Sequence, residues 1–167
     1  FDEIFSTFIV NSEIRKKIKK IKKKNKIINL NKQKLIINSL DFFLTNDQIK
    51  SLNEINNDLS SANKMFRLLQ GDVGSGKTIV SLLGAINTIN SGFQVAFMAP
   101  TEILARQHFN LAKKIFPSYI NIDLISGKSE FKVKKKILKK LENNEIHIIF
   151  GTHAIFQKKV IFKKLGL

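Results

Sequence analysis

The chain opens with apolar residues that are mostly three or four positions apart, the spacing of one face of a helix. These residues are Phe1, Ile4, Phe5, Phe8, Ile9, Ile14, Ile18 and Ile21. The pattern predicts a helix, and its second half, residues 15–24, reads RKKIKKIKKK with charge nearly all round. A block of like charge of this kind either faces solvent or lies against phosphate groups.

Residues 25–40 are rich in Asn and Lys and show no sustained period, so we expect a linker with some irregular or helical content. After it, Thr45 and Gln48 have the spacing of a capping box, in which each side chain bonds to the backbone of the other residue. Apolar residues at helical spacing follow, namely Ile49, Leu52, Ile55 and Leu59. We therefore predict a helix from about Asn46 to Ser61.

From Met65 onward, short apolar runs alternate with amphipathic segments. The predicted strands are Phe66–Gln70, Gln94–Ala99, Ile120–Ile125 and Ile146–Phe150. The predicted helices are Lys77–Asn90, Thr101–Phe116 and Ser129–Glu142. Strands that alternate with helices favour right-handed crossovers, so we expect an α/β fold with a parallel sheet flanked by helices.

The charge balance is strongly basic, with a formal net charge of +16 and a pI near 10.1. Lysines gain free energy when they displace counterions from nucleic-acid phosphates, so a polyanionic partner is one explanation. The other explanation is a general bias in composition, because lysine, asparagine and isoleucine dominate everywhere and only Arg15, Arg67 and Arg106 are arginines. Charge alone leaves both explanations open.

The absence of cysteine excludes disulfides and thiolate metal sites, which fits a reducing compartment, and we expect a cytoplasmic protein. The longest apolar runs, such as Ile146–Phe150, are far shorter than the roughly 20 residues that cross a bilayer, so we expect no membrane span. No secretory signal pattern opens the chain. Because it begins at Phe1 and stops at Leu167 in the approach to an apparent strand, we expect a piece of a longer protein.

The candidate chemistry is concentrated in a loop that fits Gly-x-x-x-x-Gly-Lys-Thr, the Walker A pattern. It consists of Gly71, Asp72, Val73, Gly74, Ser75, Gly76, Lys77 and Thr78. Glycines allow the backbone to curl so that its N–H groups surround phosphate oxygens, helped by the positive end of the following helix. Lys77 would then reach the β and γ phosphates of ATP, and the Thr78 hydroxyl would bind the Mg²⁺ that bridges them.

Phe42 and Gln48 lie about thirty residues before this loop. An aromatic ring can stack on a base, and an amide can both donate to and accept from adenine, so the pair could select ATP. The competing interpretation is that Gln48 only closes the capping box and that Phe42 belongs to the core.

Other polar loops follow the predicted strands, at the edge where parallel sheets bind ligands. They contain Thr101, then Ser126, Gly127 and Lys128, then Gly151, Thr152 and His153. These small and hydroxyl residues are compatible with nucleic-acid phosphate. Two simpler interpretations stay open: Thr101 is also a natural N-cap, and His153 could be a buried, hydrogen-bonded histidine. The three histidines are scattered and do not indicate a metal site.

Three of these stretches together resemble the RecG family of superfamily 2 DNA helicases. They are LLQGDVGSGKT from Leu68, FMAPTEILARQH from Phe97 and FGTHAIFQ from Phe150. The segment FFLTNDQ at 42–48 resembles the adenine-recognition segment of that family. Phe1-Asp2-Glu3 resembles the helix that joins its DNA-binding wedge domain to the motor.

The resemblance implies a RecA-like P-loop NTPase lobe, here incomplete. Residues 1–40 would be a helical linker from an upstream domain, and 41–167 the N-terminal part of the first motor lobe. It also implies ATP-dependent unwinding and branch migration of stalled forks and Holliday junctions, in DNA repair and recombination. ATP, Mg²⁺ and branched double-stranded DNA would be the ligands of a monomer. ATP and Mg²⁺ contacts carry over to Gly74, Gly76, Lys77 and Thr78, and DNA-backbone contacts to Thr101 and Thr152.

The chain also departs from the family pattern. The Asp-Glu-x-His motif expected directly after Leu167 is not among these residues, nor are the second motor lobe and its arginines. We therefore expect the 167 residues alone to bind nucleotide weakly and to sustain no hydrolysis. Two other functions stay open: a transcription-repair coupling translocase, and a non-catalytic nucleic-acid-binding protein that relies on lysine runs such as Lys132–Lys140.

Overall fold

The computed structural model describes residues 2–127, 131–157 and 159–167. Its helices are α1 (Asp2–Lys20), α2 (Leu30–Asn38), α3 (Asn46–Ser60), α4 (Lys77–Asn90), α5 (Glu102–Ile115) and α6 (Phe131–Glu142). Its strands are β1 (Val95–Met98), β2 (Ile122–Ile125) and β3 (Ile148–Gly151), and a short 3-10 helix (His153–Phe156) follows β3.

The three strands form one parallel sheet in the order β1-β3-β2. Ile148 of β3 is level with Val95 on one side and with Ile122 on the other. Every residue of β3 is buried, as expected for a central strand covered on both faces. The predicted α/β fold with a parallel sheet is confirmed.

Side chains of β3 alternate between the two faces and divide the core into two apolar clusters. Ile148 and Phe150 join the cluster formed with α3, α4 and α5. Ile149 joins the cluster formed with α6 and the 3-10 helix. Helices on both faces therefore shield the sheet from water, and the ends of its strands remain as the places where loops can gather.

The predicted helices are confirmed to within a residue or two at their described ends. The Thr45 hydroxyl accepts from the Gln48 N–H, and the Gln48 side chain accepts from the Thr45 N–H, which completes the predicted capping box at the start of α3. Phe1, Lys128 and Ser129, which entered the predictions above, lie outside the described residues.

The predicted strand Phe66–Gln70 is wrong, because this segment is not paired with any strand in the described parts of the chain. Arg67 instead fastens it to α3 by ion pairs with Glu54 at 2.5 Å and Asp58 at 2.6 Å. A cavity of about 200 Å³ separates the segment from β1. Apolar alternation therefore identified an extended segment correctly, but a strand also needs a hydrogen-bonding neighbour about 4.8 Å away.

Residues 164–167 run parallel to β1 on the side that does not pair with β3. The Gln94 N–H donates to the Lys164 carbonyl at 2.7 Å, and the Ala96 N–H donates to the Leu167 carbonyl at 2.9 Å. This backbone pairing brings the last described residues to the cavity beside β1.

The predicted linker, residues 25–40, contains helix α2, which packs against α4. Ile36 is only 3% exposed and belongs to the core cluster of α3 and α4. Beside it, three buried amides form a network: Asn56 donates to Gln33 at 2.9 Å, and Asn87 donates to Asn56 at 3.0 Å. Gln33 also donates to the Leu83 carbonyl of α4 at 2.9 Å. We call Gln33, Asn56 and Asn87 the amide network. The boundary between a linker and the motor lobe at residue 40 stays a prediction.

Helix α1 exposes apolar side chains, with Phe5 61% and Val10 56% exposed. It also carries charge, including a Lys16–Glu13 ion pair at 2.9 Å. Among the residues that the structure describes, neither α1 nor any other helix is long and apolar enough to cross a membrane.

Candidate functional site

The Gly71–Thr78 loop is a compact turn that leads directly into α4. Gly74 and Gly76 have φ angles of 81° and 79°, in the left-handed region that glycine adopts without strain. The Ser75 N–H donates to the Asp72 carbonyl at 3.2 Å and closes the turn. The predicted curled backbone is therefore present, and its glycines stand where the curl requires them.

The start of α4 is open to an anion. Its N-cap is Gly76, and no described side chain caps the first turn. The first N–H groups of a helix have no partner within the helix, and they carry the positive end of its dipole. Such a helix start binds phosphate or another anion readily.

Lys77 places its ammonium inside the loop. The group donates to the Gly71 carbonyl at 2.8 Å, to the Asp72 carbonyl at 2.5 Å and to the Ser75 hydroxyl at 3.3 Å. All three acceptors are neutral, so a phosphate oxygen would compete with them through a stronger, charge-assisted hydrogen bond. Thr78 is the next residue of the first helical turn and is partly buried.

Gln48 contacts the loop across 27 positions of sequence. Its side-chain amide donates to the Ser75 carbonyl at 2.9 Å, while its side-chain oxygen stays in the capping box. A Cβ atom on Gly76 would collide with that amide. Gln48 therefore caps α3 and also touches the phosphate loop, and its contact with adenine stays a prediction.

Phe42 lies before α3 and is 46% exposed, which does not support the interpretation that it belongs to the core. Its neighbour Phe43 is 97% exposed. The structure therefore leaves the Phe42 ring accessible for stacking, and its contact with a base stays a prediction.

Thr101 is the N-cap of α5, and its hydroxyl accepts from the Leu104 N–H at 3.3 Å. The side chain is exposed, so the hydroxyl can still donate its own proton to a phosphate. Self-capping and a DNA contact are therefore compatible at this position.

The remaining residues predicted to contact DNA lie at the end of β3 or in the segments that follow β2 and β3. Gly127 is exposed, and no described atom lies within 4 Å of a Cβ added there. Gly151 is buried, and a Cβ added to it would lie 2.5 Å from the Ile125 carbonyl oxygen. Thr152 begins the 3-10 helix without a side-chain cap in the described structure, and His153 is exposed rather than buried.

The parallel sheet brings the residues after β1, β2 and β3 to the same edge. The expectation of four strands ending there is corrected to three, because residues 66–70 before the phosphate loop are not a strand. Sequence reasoning also missed the amide network that supports α4. Its members are ordinary Asn and Gln residues within helices, and only their burial reveals them.

Comparisons with known proteins agree with this geometry. The family described as DEAD/DEAH box helicase matches residues 45–167. The chain is 48% identical over 132 residues to the ATP-dependent DNA helicase RecG of Borreliella burgdorferi, covering 78% of this chain and 19% of that protein. It is 41% identical over 167 residues to the RecG of Aquifex aeolicus, covering 99% of this chain and 21% of that protein.

A solved structure described as RecG bound to a three-way DNA junction superposes with a TM-score of 0.88 at 41% identity, covering 98% of this chain and 23% of that one. The predicted RecA-like lobe and the resemblance to RecG are confirmed. The chain spans about a fifth of the length of these relatives. The family match covers most of the chain, and the chain therefore belongs to the DEAD/DEAH box helicase family, within which it is similar to the RecG helicases.

Proposed function

We propose that this chain forms the nucleotide-binding part of an ATP-dependent DNA helicase of the RecG type. The observation that carries the proposal is the uncapped start of α4 with the Lys77 ammonium held beside it by neutral acceptors. ATP phosphates would lie on the N–H groups of residues 74–78 and draw the ammonium away from the Gly71 and Asp72 carbonyls.

The other residues of the site have separable roles in this proposal. The Thr78 hydroxyl, in the first turn of α4, would hold Mg²⁺ together with phosphate oxygens, and the ion would neutralise charge that develops on the phosphates. The Gln48 amide donates to the Ser75 carbonyl, so this hydrogen bond would connect an adenine bound at Gln48 to the phosphate loop. Phe42 would stack on the base.

DNA would cross the edge of the sheet where β1, β2 and β3 end. Backbone contacts are proposed for Thr101, Gly127, Gly151, Thr152 and His153. Thr101, Gly127 and His153 are exposed, and contacts to the sugar-phosphate backbone position DNA without reading its sequence. The substrate class, branched double-stranded DNA, follows the relative that was solved on a three-way junction. The activity proposed for the whole protein is unwinding and branch migration of stalled forks and Holliday junctions in repair and recombination.

We also propose how the chain is placed within a longer protein. Residues 1–40 would join an upstream DNA-binding domain to a motor lobe that begins near residue 41, in a monomeric cytoplasmic enzyme. The relatives support the RecG type over a transcription-repair coupling translocase. The phosphate-loop geometry supports a motor over a basic protein that binds nucleic acid without ATP.

The test compares Lys77→Ala with Lys50→Ala, which removes an exposed lysine from α3. We expect Lys77→Ala to weaken Mg·ATP binding by the chain at least tenfold in calorimetry while duplex DNA still binds, and Lys50→Ala to change neither. In the full-length protein, Lys77→Ala should abolish DNA-stimulated ATP hydrolysis. Undiminished turnover in that variant would rule out the proposed function.

A further inference from the structure

A cavity lined by several lysines lies at the other end of α4 from the phosphate loop. It has a volume of about 430 Å³, and its lining includes Lys23, Lys24, Lys26 and Lys64. Phe93, which follows α4, and Leu165, which pairs with Gln94 just before β1, also line it. We call this the lysine cavity. Because α4 has 14 residues, about 20 Å of helix separates it from the nucleotide site.

Backbone pairing between two distant segments builds the lysine cavity. Residues 21–26 run antiparallel to residues 59–64, with hydrogen bonds from the Lys23 N–H to the Ala62 carbonyl at 2.8 Å and from the Lys64 N–H to the Ile21 carbonyl at 3.0 Å. The Lys26 N–H adds a bond to the Leu59 carbonyl at 3.1 Å. Backbone hydrogen bonds therefore hold the segment that carries Lys23, Lys24 and Lys26 next to the segment that carries Lys64.

Lys26 is unusual because it is only 5% exposed. Its ammonium lies 3.3 Å from the centre of the Phe93 ring, and a Cβ on Gly166 would approach it to 3.0 Å. The π face of a ring attracts a cation but does not neutralise it. A buried ammonium is ordinarily paired with an acidic group, which leaves the role of counter-charge open here.

The described acidic residues do not fill that role. Ion pairs in the described parts of the chain involve Lys16, Arg67 and Arg106 as the cations, and none of the four cavity lysines. Asp58 is the acidic neighbour of Lys23, but its carboxylate is bound to Arg67 at 2.6 Å. The Lys23 ammonium instead donates to the Asp58 and Leu59 carbonyls at 2.9 and 3.1 Å.

The pKa values of Lys26 and Lys23 are shifted in the direction that a nearby anion would oppose. Burial lowers the pKa of Lys26, and the positive charge of Lys23 lowers it further. Burial also lowers the pKa of Lys23, against an opposing effect of Asp58. An anion in the cavity would oppose these effects, since an opposite charge nearby favours the protonated form.

We propose that the lysine cavity binds a phosphate group, either of a free phosphate compound or of a nucleic-acid backbone. Four lysines line one open cavity, and a tetrahedral phosphate offers oxygen atoms to several donors at once. This site would be independent of the phosphate loop, and it would join the segment before α2 to the body of the domain.

The test uses the whole chain in a Lys77→Ala background, so that the nucleotide loop contributes little to anion binding. Inorganic phosphate is titrated by calorimetry at constant ionic strength. We expect saturable binding at one site, weakened at least tenfold by Lys26→Met. Because Lys26 is buried and its loss could disturb folding, Lys24→Met and Lys64→Met, at exposed positions, are measured as well and should each weaken binding several-fold. Lys50→Met should leave it unchanged.

Equal phosphate affinity in the parent, Lys24→Met and Lys64→Met proteins would overturn the proposal, as would the absence of saturable binding. A second measurement identifies the source of the phosphate. If it belongs to DNA, Lys24→Met and Lys64→Met should each reduce the salt dependence of duplex binding by about one unit more than Lys50→Met does. Loss of phosphate binding with unchanged DNA affinity would assign the cavity to a free phosphate compound.

Discussion

The side-chain amide of Gln48 donates a hydrogen bond to the backbone carbonyl of Ser75 at 2.9 Å, and its oxygen simultaneously accepts from the Thr45 N–H at 2.9 Å. One side chain therefore ties the start of α3 to the loop that precedes α4. Its two polar atoms serve different elements, so substitutions can separate the two roles.

Gln48→Glu should preserve the helix cap and weaken the nucleotide site. A glutamate oxygen still accepts from Thr45, as in other capping boxes, but it cannot donate to the Ser75 carbonyl. We expect thermal stability to fall little and ATP affinity to fall about tenfold, as measured by thermal unfolding and calorimetry.

Gln48→Ala is the matched comparison, because it removes both interactions. It should lower the free energy of unfolding by about 1 kcal/mol, the usual cost of losing a cap, in addition to weakening ATP binding. If Gln48→Glu lost stability as Gln48→Ala does while ATP bound normally, the contact with Ser75 would have no role in the nucleotide site.

Gly151 and Gly127 were both predicted to contact DNA, but their surroundings differ. A Cβ at Gly151 would lie 2.5 Å from the Ile125 carbonyl oxygen and 2.9 Å from the Ile155 side chain. We expect Gly151→Ala to cost about 1–3 kcal/mol of stability through overpacking. Gly127→Ala should change stability by less than about 0.5 kcal/mol, because its position is open.

Chemical denaturation of the two alanine variants measures this difference directly. DNA binding is then informative only for Gly127→Ala, whose fold should be intact. A Gly151→Ala protein as stable as the parent would show that the turn after β3 relaxes more easily than its packing indicates.

Asn56→Ala should destabilise the domain strongly, because Asn56 is the centre of the amide network. The change leaves the Gln33 oxygen and the Asn87 amide without partners in a buried site. Each unpaired buried group costs about 1–3 kcal/mol, so we expect a loss of about 2–6 kcal/mol in denaturant unfolding. Asn57→Ala, the next residue on α3, is exposed and should cost less than about 0.5 kcal/mol.

Stability should fall as the solution is acidified below a pH of about 6.5, partly because of His147. Burial lowers the pKa of this histidine, and its Nδ1 accepts from the Asn121 N–H at 2.8 Å, which requires an unprotonated nitrogen. The unfolded chain therefore takes up a proton first as pH falls, so stability is lost below the unfolded pKa and levels off below the folded one. His108, whose pKa burial also lowers, acts in the same direction.

His147→Asn should reduce this pH dependence, since an asparagine oxygen can accept from Asn121 without titrating. His153→Asn, at an exposed position, serves as the control and should retain the slope of the parent protein. Thermal unfolding between pH 8 and pH 5 distinguishes the two. A slope unchanged in His147→Asn would contradict the assignment.

The sequence by itself determined the elements whose causes are local. The capping box set the start of α3, the apolar periods placed α4 and α5, and the glycine spacing of 71–78 required a curled loop before a helix. These features depend on interactions between residues a few positions apart, so a short stretch of sequence is enough to predict them. The family was also evident from three short stretches, because the phosphate loop and its companion motifs are specific.

Only the tertiary structure decided the features that join distant residues. It separated Phe66–Gln70 from the sheet, buried Gly151 while leaving Gly127 open, and brought Gln48 to Ser75. It also gathered Lys26 and its neighbours around one cavity and hid the amide network between α2, α3 and α4. The physical reason is that strand pairing, burial and charge clustering depend on which segments come into contact after folding. A local pattern of apolar and polar residues does not specify contacts between segments that are distant in sequence.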